Sequence, residues 1–144
     1  MKALLMATAL VGCGSHTIAF RNSAIKPYAD QFYADAKRYG IKAREANVSY
    51  HIIQPPIHKD MPKAVGVCFY GEVSSFILIS RAYWRKATPN ERKALVYHEL
   101  AHCALSLKHT KNPQALMYPT VHSPLYLEAN IDRMIEEFFE GIGK

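Results

Sequence analysis

The stretch YHELAHCALSLKHTKNPQALMYP, Tyr97 to Pro119, decides how this chain is read. His98 and His102 stand four residues apart with Glu99 between them, and His109 follows seven residues after His102. On a helix turning about 100° per residue, the two histidines lie about 40° apart and one turn removed, so both imidazoles can reach one metal ion. Glu99 stands about 60° round from His102, close enough to reach a water at that metal without ligating it. Val96, Leu100, Cys103 and Leu107 form an apolar stripe on the other side, which is the pattern of a helix packed on a core. Chance would place H-E-x-x-H in roughly one in sixty chains of this composition, so the helical context and the amphipathic phase carry weight beside the motif.

The flanking sequence supports the helix. Thr88-Pro89-Asn90-Glu91 combines an N-cap threonine, a proline at the first helical position and a glutamate three residues after the cap, a strong helix start. The predicted helix runs from Pro89 to Leu105 or Leu107. Upstream, Pro27 to Tyr39 has helical spacing with Gly40 as its stop. Asn47 to Gln54, Ala64 to Tyr70 and Ser75 to Ser80 read as strands, the last two joined as a hairpin through Gly71-Glu72-Val73. A terminal helix is predicted from Ser123 or a little later to before Gly141, with Ile131, Ile135 and Phe138 on one side. The order is an α+β layout.

HELAH, the further histidine and ALMYP together resemble the metzincin clan of zinc endopeptidases, and most of all its matrixin branch. The resemblance covers about 23 residues, Tyr97 to Pro119. It implies a small zincin-like catalytic domain with a mixed sheet, an active-site helix and a C-terminal helix. It also implies Zn2+ as cofactor, His98, His102 and His109 as its ligands, and Glu99 as general base. Met117 would be the methionine of a tight turn, and Tyr118 and Pro119 would begin the wall of the pocket for the residue after the scissile bond. The clan's spacing is H-E-x-x-H-x-x-G-x-x-H. Here the third histidine is one residue farther on, and Leu105 or Ser106 stands in the place of the glycine.

That spacing sets a geometric condition. An unbroken helix would carry His109 about 10 Å beyond His102, out of coordination range. The chain must therefore turn back between Ser106 and His109, with Ser106 or Lys108 taking a left-handed backbone. A different third ligand is open. Glu128-Ala129-Asn130-Ile131-Asp132 resembles the helix of gluzincin peptidases, with Glu128 on the metal and Asp132 supporting a histidine. His16, His51, His58 and His122 read as surface histidines, His122 being near enough to the motif to enter a cleft. Met117 by itself would read as a core methionine.

Three neutral imidazoles leave zinc an open fourth position, the mark of a catalytic site. Glu99 would take a proton from the attacking water and pass it to the leaving amine, and SFILIS or AVGVCFY would bind a peptide in extended form. The reading is a zinc endopeptidase acting on a peptide or protein. The competing class is a non-catalytic metal-binding envelope lipoprotein, for which an intact Glu99 has no use.

Met1 to Cys13, MKALLMATALVGC, has Lys2 followed by an apolar run too short to span a bilayer. Leu10-Val11-Gly12-Cys13 resembles the lipobox of bacterial lipoproteins. This implies a signal peptide over 1–12, acylation of Cys13, an anchor and tether over 13–26 and a metallopeptidase domain over 27–144; an ordinary signal peptide is the alternative. Membrane attachment through lipidated Cys13 would follow, and Gly14 in place of aspartate favours the outer membrane of a Gram-negative envelope. No cysteine-switch propeptide is evident. An exported domain permits Cys68 and Cys103 to pair, two buried thiols being the alternative. The chain has 144 residues, 49% of them apolar, and a net charge of +6, with its basic residues scattered. A single globular monomer with no nucleic-acid partner is expected.

Overall fold

A computed structural model of the chain describes residues 23–44, 48–69, 71 and 74–143. The expected leader, Cys13, His16 and the tether as far as residue 22 lie outside the described residues, as do Asn47, Tyr70 and residues 72–73 of the expected hairpin turn.

The element order is α1 (Lys26–Arg38), β1 (Val48–Ile53), β2 (Gly66–Phe69), β3 (Ser75–Ser80), α2 (Arg81–Lys86), α3 (Pro89–Leu105) and α4 (Pro124–Ile142). This is the expected α+β arrangement with a mixed sheet. The sheet has the order β1-β3-β2. β1 runs parallel to β3 with Val48 opposite Ser75, and β2 runs antiparallel to it with Gly66 opposite Ile79. β3 is thus central, and β2 is an edge strand among the described residues.

Each helix has a local cause. Pro27 supplies a pre-set φ at the start of α1. At its end Gly40 takes φ +72°, which lets the Gly40 N–H reach the Lys37 carbonyl (3.0 Å) and the Ile41 N–H reach that of Ala36 (2.8 Å). α3 carries the expected reciprocal cap. The Glu91 N–H donates to Thr88 Oγ1 (3.2 Å) and the Thr88 N–H to Glu91 Oε2 (2.7 Å). Such a cap is worth about 1 kcal/mol.

The structure differs from the sequence reading at several edges. The strand expected from Ala64 begins at Gly66, and the terminal helix continues through Gly141 to Ile142. α2 was not expected, because six residues are too few to show a helical period. It is started by Ser80, whose Oγ accepts the Tyr83 N–H (3.4 Å). Leu107 lies beyond α3, half-buried, rather than on its apolar stripe.

The core is filled from four sides. Val96, Leu100 and Cys103 of α3 are buried, as are Ile77 and Ile79 of β3, Val48 and Tyr50 of β1, and Leu127, Ile131, Met134, Ile135 and Phe139 of α4. Phe32 of α1 meets the Tyr97 ring edge-on at 5.2 Å and the Phe139 ring at 5.5 Å. The Tyr97 hydroxyl donates to Asp35 Oδ2 (2.7 Å), so the one polar tip in this aromatic cluster is satisfied. α3 therefore has its whole back face held, and its His98–His102 side is left toward a cleft.

Candidate metal centre

Where α3 ends, Ser106 takes φ 58°, ψ 30°, the left-handed conformation. It is the non-glycine residue with positive φ among those described, and it does what a glycine would do at less strain. Its N–H donates to the His102 carbonyl (3.1 Å), the Leu107 N–H donates to that of Ala101 (3.1 Å), and the chain folds back under the helix end. The loop after α1 seals the same end. The Arg44 N–H donates to the Ala104 carbonyl (3.0 Å), and the Arg44 guanidinium donates to Ser106 Oγ.

The returning loop brings His109 to the two helical histidines. The Nε2 atoms of His98, His102 and His109 form a near-equilateral triangle, 3.2 Å for His98–His102 and 3.1 Å for each of the other two pairs. Three nitrogens bound to a tetrahedral zinc ion at about 2.0–2.1 Å stand about 3.3 Å apart, so the spacing fits. The tautomers fit as well. His98 Nδ1–H donates to the Leu116 carbonyl (2.9 Å), and His102 Nδ1–H donates to the Leu107 carbonyl (2.6 Å). A carbonyl can only accept, so the proton of each neutral ring sits on Nδ1 and a lone pair occupies each Nε2. Lone pairs converging at this distance repel unless a cation lies between them. The donor set suits a borderline ion such as zinc.

One loop thus supplies three parts of the site: the His109 ring and the carbonyls that orient the other two. Those carbonyls of Leu107 and Leu116 escaped sequence reasoning, because backbone groups leave no mark in residue type. Met117 is buried, in a turn closed by the Tyr118 N–H to the Ala115 carbonyl (3.1 Å). Its own carbonyl accepts the Thr110 N–H (2.9 Å), which ties the turn to the residue after His109.

Burial holds the His98 imidazole down to about 4, because the cation would be desolvated, and it also lowers His102. Both rings are therefore neutral, as ligands must be. Glu99 is buried and lies beside β2. Burial pushes its carboxyl up to about 8, against the opposing effect of the Cys68 backbone N–H that donates to it. Gly66 makes room for it, since a Cβ there would stand 2.5 Å from Glu99 Oε1. Cys68 and Cys103 form a disulfide joining β2 to α3, one residue past His102.

The four polar residues line a cleft of about 830 Å³, bounded by residues 61–68 on one side and by Leu116 and residues 118–122 on the other. Tyr118, Pro119 and His122 are all in its wall. The His122 Nε2–H donates to the Ala115 carbonyl (3.1 Å) and its ring stacks on Tyr126. Glu128 is not brought to the histidines, contrary to the alternative ligand set. Its carboxylate accepts from Asn90 Nδ2 (2.9 Å) near the start of α3, and Asp132 pairs with Lys93 rather than with a histidine. His51 contacts Ser49 and His58 stacks on Phe69, both apart from the site.

Two histidines on a capped helix and a third on the loop after it, with a buried glutamate between the first two, form the kind of cluster that a metallopeptidase-type domain carries. The family model described as "Putative phage metallopeptidase" matches residues 36–126, well over half of the chain, and the chain belongs to that family. No curated protein and no solved structure matches it.

Proposed function

We propose that the protein is a zinc-dependent endopeptidase of metzincin type, hydrolysing peptide bonds with Glu99 as general base. The observation that carries this is the convergence of three Nε2 lone pairs within 3.2 Å of one another next to a buried carboxyl. His98, His102 and His109 would hold the ion. When bound, zinc supplies a Lewis acid that polarises a carbonyl and acidifies water. A cation held by the histidines would favour the ionised form of Glu99 that burial alone disfavours. That carboxylate would take the proton of the attacking water and deliver it to the leaving amine. The Cys68 N–H fixes the Glu99 carboxylate on the side of β2. Among the described residues β2 (Gly66–Phe69) is an edge strand beside α3 and β3 is paired on both sides, so AVGVCFY rather than SFILIS is the segment that would align an extended peptide. Met117 in its closed turn after the third histidine supports the metzincin assignment, with Tyr118 and Pro119 as pocket wall.

The lipobox-like Leu10-Val11-Gly12-Cys13 supports export and acylation at Cys13, which would hold this domain at a bacterial envelope. Radiolabelled fatty acid incorporated by the full chain and lost in Cys13→Ala tests that part.

For the activity, zinc per chain and peptide cleavage are measured for the native protein, His109→Ala and Glu99→Ala. The reading requires about one zinc in the native protein, its loss or strong weakening without His109, and retained zinc with cleavage lost without Glu99. Native protein that binds no zinc overturns it. Cleavage that persists in Glu99→Ala removes the assigned base.

A further inference from the structure

The cleft does not end at the histidines. Glu91, Ala94, Leu95 and His98 stand at i, i+3, i+4 and i+7 of α3 and all line it, so it runs two turns toward the start of the helix. Ala94 is small and buried, which leaves the path open past the first turn. Glu91 stands at the far end, seven residues and about 10 Å along the axis from His98. Its Oε2 is fixed by the Thr88 N–H (2.7 Å), a bond to which Oε1 is not committed.

The cleft lining is mostly apolar, with Tyr83, Thr120, His122 and Lys63 among its polar members. Leu95, Val121 and Leu127 are among the apolar lining, and Tyr83 of α2 lies near enough to Glu91 to feel its charge. Burial first, and the Glu91 charge second, push the Tyr83 phenol up to about 12, so it stays a neutral hydroxyl. The cations of α3 face elsewhere. Arg92 Nε donates to the Trp84 carbonyl (3.0 Å) with its guanidinium over the Trp84 ring, and Lys93 pairs with Asp132 (3.4 Å). Lys63, on the opposite rim, is exposed to solvent.

We propose that this end of the cleft is a specificity pocket for a lysine or arginine side chain of the substrate, with Glu91 receiving the cation and Tyr83 adding a hydrogen bond. The inference rests on the peptidase reading for its substrate class. The apolar walls match the methylene stem of such a side chain, which spans about 6 Å when extended. Glu91, about 10 Å along α3 from His98, is within reach of a long side chain next to a carbonyl held at the histidines. A neutral residue of the same length would fill the walls and leave the carboxylate without its partner.

The test uses zinc-loaded protein and two peptide hydroxamates that differ only in one side chain, aminobutyl or butyl. Dissociation constants are measured by calorimetry for the native protein and for Glu91→Gln, which keeps the helix cap because glutamine serves the same role. Native protein should bind the aminobutyl compound about tenfold tighter, as a charge-assisted hydrogen bond gives, and the ratio should fall to near one in Glu91→Gln. A native preference for butyl, a ratio unchanged by the substitution, or no binding of either compound overturns the pocket. Matched peptides with lysine or norleucine after the cleaved bond separate the two readings. Binding as expected without cleavage of either peptide removes the peptidase activity and leaves the pocket standing. Cleavage of both at equal rates does the reverse.

Discussion

Gly66 of β2 and Glu99 of α3 touch so closely that any side chain at position 66 would collide with the carboxyl: a Cβ there would lie 2.5 Å from Glu99 Oε1 and 2.8 Å from Leu95 Cδ1. The strand can approach the helix, and the Cys68 N–H can reach Glu99, because this position is bare. Position 66 is therefore a determinant of the site although it carries no functional group.

Gly66→Ala should displace Glu99 without touching the histidines. The expected result is a loss of about 10- to 100-fold in kcat/KM and about 1–3 kcal/mol in stability from overpacking, with zinc still bound. Peptide cleavage, zinc stoichiometry and urea unfolding on one preparation check it. Full activity would mean that the carboxyl's position is not critical.

The metal-free protein should be most stable near pH 6.5. Glu99 titrates at about 8 folded against 4.5 unfolded, so between those values the folded state holds the extra proton and stability falls as pH rises. His98 titrates at about 4 folded against 6.5 unfolded, so between those values the unfolded state holds the extra proton and stability falls as pH falls. His102, lowered for the same reason, adds to the acid side. Between about 4.5 and 6.5 His98 and Glu99 nearly cancel, and the lowering of His102 tips the balance toward lower stability as pH falls. Above 6.5 Glu99 acts alone and costs about 2 kcal/mol by pH 8. Urea midpoints taken in chelator should show that alkaline decline in the native protein and lose it in Glu99→Gln.

Removing the Cys68–Cys103 bridge opens a link between residues 35 apart. The chain-entropy relation puts the cost at about 3–4 kcal/mol, or about 10 °C in Tm for a domain of this size. Because the bridge also holds the Cys68 N–H against Glu99, the Cys68→Ala/Cys103→Ala protein should cleave more slowly at saturating zinc even below its melting range. Differential scanning fluorimetry and cleavage assays at 15 °C test the two effects separately.

At Ser106 the left-handed backbone costs about 1 kcal/mol that glycine would not incur. Ser106→Gly gives this up along with the hydroxyl that meets Arg44, so stability should change by less than about 1 kcal/mol and zinc should remain. Ser106→Val should lose about 2 kcal/mol and weaken zinc binding, since a β-branched residue resists the turn that returns His109. Zinc titration with a competing chromophoric chelator reports the difference.

The sequence by itself determined the parts that depend on neighbours a few residues away. The cap at Thr88 and Glu91, the His98–His102 pair on one helical face, the three strands and the turning back of the chain near Ser106 all follow from spacing, capping and steric limits that act within one or two turns. The third ligand was narrowed to His109 or Glu128 but not decided, because the choice depends on where a loop and a distant helix come to rest. Tertiary structure brings His109 beside the two helical histidines through the left-handed step at Ser106, and draws Glu128 away to Asn90. It also placed β3 in the middle of the sheet, leaving β2 at the edge beside the helix. The orienting carbonyls of Leu107 and Leu116 and the bare contact of Gly66 with Glu99 arise only when remote backbone segments meet. Every residue carries the same backbone groups, so residue type cannot mark which carbonyls will orient a histidine, and only the folded chain selects them.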